Sequence, residues 1–140
     1  MSVQFDTKRI IIFGDGLFYD TYYLSIAAEL TGQRYEAIVK QVLGQWAEIL
    51  ADVQPDQETV FLPFSVGDEF VECLAATRTG RQIVLRSVSV DIEGHTLDLL
   101  NLHEFMVGLQ EISQQYPENF GVYDQAELIR ALKEAEPAPA

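Results

Sequence analysis

The sequence predicts an α+β protein: a single domain with a mainly antiparallel sheet of about five strands packed with about three helices. Three observations carry that expectation. Nine apolar residues from Tyr35 to Val53 recur at the three-and-four spacing of one helical face. Apolar, β-branched segments at 59–64, 69–77 and 82–92 follow in close succession, the last two joined by Thr79-Gly80. Two further amphipathic segments near the C-terminus open on helix-capping signals. A chain of 140 residues, nearly half of them apolar, can bury a core without disulfide staples.

Lys8 to Phe13 places Ile10, Ile11, Ile12 and Phe13 in one run closed by Gly14-Asp15-Gly16, the pattern of a buried strand running into a turn. The segment 22–30 is open between strand and helix: Leu24, Ile26, Ala28 and Leu30 alternate, Thr31-Gly32 follows as a turn signal, and aromatic and β-branched content tips it to strand. The helix from Tyr35 comes next, with Lys40, Gln41, Gln45, Glu48 and Asp52 on its polar side and Pro55 ending it. Gly44 inside this helix costs about 1 kcal/mol relative to Ala, which points to close packing against another element.

A two-residue turn at Thr79-Gly80 pairs Ala76 with Ile83 and Leu74 with Leu85 on one face, and Ala75 with Val84 on the other; a three-residue turn shifts this by one. Apolar pairs on both faces predict a central hairpin partly covered on each side. Asn101 and Glu104 then form a capping box before the stripe Leu102, Phe105, Met106, Leu109, Ile112 and Tyr116. Asp124 and Glu127 repeat the arrangement before Leu128, Ile129 and Leu132, with Tyr123 and Leu128 as a hydrophobic staple. The domain is expected to span 1–133, and the Pro/Ala tail 134–140 to be disordered.

Charge is the feature that bears most on function. The net charge is −13, and fifteen of the twenty-two carboxylates lie in two stretches, Gln41 to Thr77 and Ser87 to Ile129, that contain no Lys or Arg. Such a surface suits a basic partner protein, possession of which is the expectation here. It disfavours direct nucleic-acid or anionic-membrane binding, both of which need cations to meet phosphate. Cys73 is the sole cysteine, so an internal disulfide is impossible and a reducing, cytoplasmic setting is expected. Met1 to Asp6 lacks the basic and apolar regions of a secretory signal, and no apolar run reaches the ~20 residues that cross a bilayer.

The chemical candidates are weak. Phe13-Gly14-Asp15-Gly16-Leu17 resembles the opening block of the GDSL-type esterases, in which a Ser follows the Asp as nucleophile. Gly16 stands in that place, and no His follows His103 to complete the late Asp-x-x-His pair of that family, so an active esterase is not expected. His95, Asp98, His103 and Glu104, with Asp91 and Glu93 nearby, include metal-ligating residue types, but Val107 stands where a zincin helix carries its second His. No metal and no cofactor is expected. Cys73 faces Arg86 in the hairpin register, yet its place between Val71 and Ala75 is that of a packing residue. No catalytic residue emerges.

Two groups of residues fit partner binding. Asp15, Tyr19 and Asp20 belong to an acidic, aromatic stretch, and Tyr is enriched where interfaces are strongest. Asp68, Glu69, Glu72, Asp91 and Glu93 cluster at one end of the hairpin, with Asp68 opposite Asp91 in the predicted register. Like charges across a strand pair are unfavourable unless a cation or a basic partner offsets them. The function expected is therefore that of an acidic protein that binds and neutralises a basic partner, of the toxin-immunity or inhibitor type. The alternative is a small-molecule-binding protein or enzyme whose site is assembled from scattered residues.

Overall fold

The structure is a computed structural model and describes residues 2–6, 9–12, 17–20, 22–56, 59–66, 70–91 and 121–138. In chain order its elements are β1 (Val3–Phe5), β2 (Arg9–Ile12), β3 (Leu17–Asp20), α1 (Tyr22–Thr31) and α2 (Tyr35–Asp52). They continue with β4 (Thr59–Val66), β5 (Phe70–Thr79), β6 (Gln82–Asp91), β7 (Gly121–Asp124), α3 (Gln125–Lys133) and β8 (Glu136–Pro137). The class is α+β, as expected. Its strands form two sheets rather than one of about five. One has the order β3-β2-β1-β8, three antiparallel strands with β8 added in parallel; the other is the antiparallel sheet β4-β5-β6-β7.

α2 follows the predicted stripe. Ile38, Val39, Val42, Leu43, Trp46, Ala47 and Leu50 are buried, and Trp46 is only 2% exposed. Tyr35 and Ile49, at the stripe's margins, are half-buried against the same core. The Tyr35 hydroxyl donates to the Asp6 carbonyl at 2.7 Å, which ties the start of α2 to the end of β1. Gly44 departs from expectation: a Cβ built there meets nothing within 4 Å, so no close approach requires the glycine.

The segment 22–30 is helical, which corrects the strand reading. Leu24 and Ala27 are buried one helical turn apart, whereas Ile26 is 39% and Leu30 76% exposed. Packing against α2 and β4 therefore selects a face that the alternating pattern does not show. Gly32, with φ of +71°, supplies the left-handed residue that commonly ends a helix, so the turn signal at Thr31-Gly32 is a helix terminus.

The hairpin is real but its register differs from prediction by two residues. Thr79 pairs with Gln82, and the loop is Gly80-Arg81 rather than Thr79-Gly80. Gly80 has φ of +60° at the first loop position while Arg81 has no positive φ, the pattern of a II′ turn. Because the shift is even, every residue keeps its predicted face. The burial confirms two covered faces: Cys73, Leu74, Ala75 and Ala76 are consecutive and all buried. β5 and β6 are the central strands, flanked by β4 and β7. β4 lies at the sheet's edge, which tolerates the missing N–H of Pro63, and its register with β5 shifts between Pro63 and Ser65.

β7 and α3 complete the fold around a capped junction. The Asp124 carboxylate accepts from the Glu127 backbone N–H at 3.1 Å, as the capping signal predicts. Tyr123, Leu128, Ala131 and Leu132 are buried in one core with residues of α1, α2 and both sheets. The tail expected to be disordered is paired over part of its length. Gln4 and Phe5 of β1 lie beside Glu136 and Pro137, and the Ala138 N–H donates to the Phe5 carbonyl at 2.7 Å. The predicted helix from Asn101 to Tyr116 lies outside the described residues.

Candidate functional site

The residues expected to meet a partner fall into two sets. Asp15, Asp68, Glu69 and Glu93 lie outside the described residues, as do His95, Asp98, His103, Glu104 and the esterase-like run 13–16. Tyr19 and Asp20 are placed on β3, an outer strand of its sheet, opposite Ile10 and Arg9. Glu72 and Asp91 are placed on the central strands β5 and β6.

The register removes the like-charge pair predicted across the hairpin, Asp68 with Asp91. Asp91 stands opposite Phe70, not Asp68, and Val90 opposite Val71, not Glu69. Glu72 stands opposite Ser89 on one side and Ser65 on the other. The cause is the position of the turn: with Gly80 opening the loop rather than closing it, the partner strand slides by two. Cys73 accordingly faces Val88, and Arg86 faces Ala75. Cys73 is fully buried, which suits a packing residue better than a nucleophile needing access.

The basic end of the hairpin has a structural task. The Arg78 Nε donates to the Gly80 carbonyl at 2.8 Å and its guanidinium reaches the Val53 carbonyl at 3.4 Å. Nearby, the Asp56 N–H donates to the Arg78 carbonyl at 2.9 Å, although Asp56 holds a left-handed φ of 61°. Arg78 thus supplies positive charge where the carbonyl end of α2, which has no basic residue in its last turn, carries partial negative charge.

Against that background the carboxylates at this end of α2 stand out. Glu48 and Asp52 are both exposed and lie four residues apart, on neighbouring turns of the helix. Both effects oppose stability: like charges at this spacing repel, and acids are disfavoured at a helix C-terminus. Exposed Asp56 follows in the next turn, and none of the three forms an ion pair among the described residues. Glu36 and Glu134, by contrast, pair with Lys40 at 3.3 Å and Arg130 at 2.9 Å. Position-by-position reading placed Glu48 and Asp52 on the polar side of the helix but did not single them out as a site; their spacing and closeness to Pro55 were the available signal.

Elsewhere an open depression of about 250 Å³ is lined by Arg34, Glu36, Ala37 and Lys40 at the start of α2. Three of its four lining residues are charged and all four are exposed or half-exposed, unlike the enclosing pockets that hold small ligands. Among the described residues no helix is long and apolar enough to cross a membrane. Comparison with protein families, curated proteins and solved structures finds no match to this chain. The structure therefore defines a class, an α+β protein of two sheets and an acidic chain, and the chemistry of its surface must carry any functional reading.

Proposed function

We propose that this chain is an acidic interaction protein that binds and neutralises a basic partner protein, in the manner of a toxin-immunity protein or protein inhibitor. The observation that carries the reading is carboxylate placed where it opposes local stability: Glu48 and Asp52, exposed and in no ion pair among the described residues, at the end of α2 in a chain of net charge −13. A cationic partner removes that repulsion on binding, and the surrounding field speeds its approach. Asp15, Tyr19, Asp20, Asp68, Glu69, Glu72, Asp91 and Glu93 are proposed as further contacts. A nuclease-type toxin is one partner of suitable chemistry, since its cleft must be basic to hold phosphate and carboxylates would compete there. The reading places the protein in the cytoplasm, where its single thiol stays reduced.

The test of neutralisation is stoichiometric. A basic protein captured from native lysate is assayed for its own activity while this chain is titrated in. Activity falling to near zero at equimolar addition is expected. A partner that stays fully active when saturated would exclude the neutraliser reading and leave a non-inhibitory complex.

A further inference from the structure

We draw no further inference here: the strongest candidate, the exposed apolar stripe formed by Ile26 and Leu30 on α1, is an unpartnered face and nothing in the structure shows what covers it.

Discussion

The side-chain amide of Gln125 donates to the Leu50 carbonyl at 2.8 Å, joining residues 75 positions apart at the junction of α2, β7 and α3. Leu50 is in the last turn of α2, where carbonyls have no partner within the helix. The Gln125 backbone N–H meanwhile donates to the Arg81 carbonyl at 2.8 Å, so one residue links the helix end to the hairpin loop. Gln125→Ala is expected to cost about 1–3 kcal/mol in chemical denaturation, because the part-buried carbonyl loses its donor. Gln125→Glu should cost more at neutral pH, since a carboxylate accepts and cannot donate. Equal stability of both variants and wild type would show the bond to be dispensable.

Trp46 is the largest fully buried side chain of the core. Trp46→Ala should destabilise the protein by about 3–5 kcal/mol through lost burial and the cavity it leaves. An unchanged melting temperature would contradict its placement.

Gly44 offers the opposite sign. Its helical position and the open space around an added Cβ predict that Gly44→Ala stabilises the fold by about 1 kcal/mol. A loss of stability would restore the close-packing explanation that the sequence suggested.

The conformation of α1 can be read by substitution. In a helix Leu24 and Ala27 share the buried face, while in a strand Leu24 would share its face with Ile26 and Leu30. Ala27→Asp is therefore expected to unfold or severely destabilise the protein by burying an unpaired charge. Leu30→Asp should change stability by no more than about 0.5 kcal/mol. The reverse ranking would support the strand.

These contrasts show what the residues disclosed in advance. α2 was legible because nine apolar positions keep one helical period and Pro55 supplies a clear stop. The Asp124 cap was legible because its acceptor and the helix start are local. α1 was not, since a ten-residue segment can satisfy alternation and helical spacing together, and contact with α2 and β4 decides. The hairpin register turned on whether Gly80 opens or closes the loop, a backbone choice that Thr79-Gly80-Arg81 leaves ambiguous. β8 was missed because its pairing comes from β1, at the far end of the chain, and not from its own Pro-containing sequence. The acidic character was plain from composition, but the adverse position of Glu48 and Asp52 needed the helix end to be located.

The most direct test of the central claim is capture of a partner from native lysate at low salt, run with wild-type protein and with the Glu48→Gln, Asp52→Asn double variant. The substitutions relieve like-charge repulsion and oppose the helix dipole less, so the variant should be as stable as wild type or more so by about 0.5–1 kcal/mol. The account predicts that wild type retains a basic protein and releases it as salt rises, and that the better-folded variant retains it at least tenfold more weakly. Retention of no basic protein by the wild type, or of the same one with unchanged affinity by the variant, would contradict the claim that these carboxylates are kept for a cationic partner.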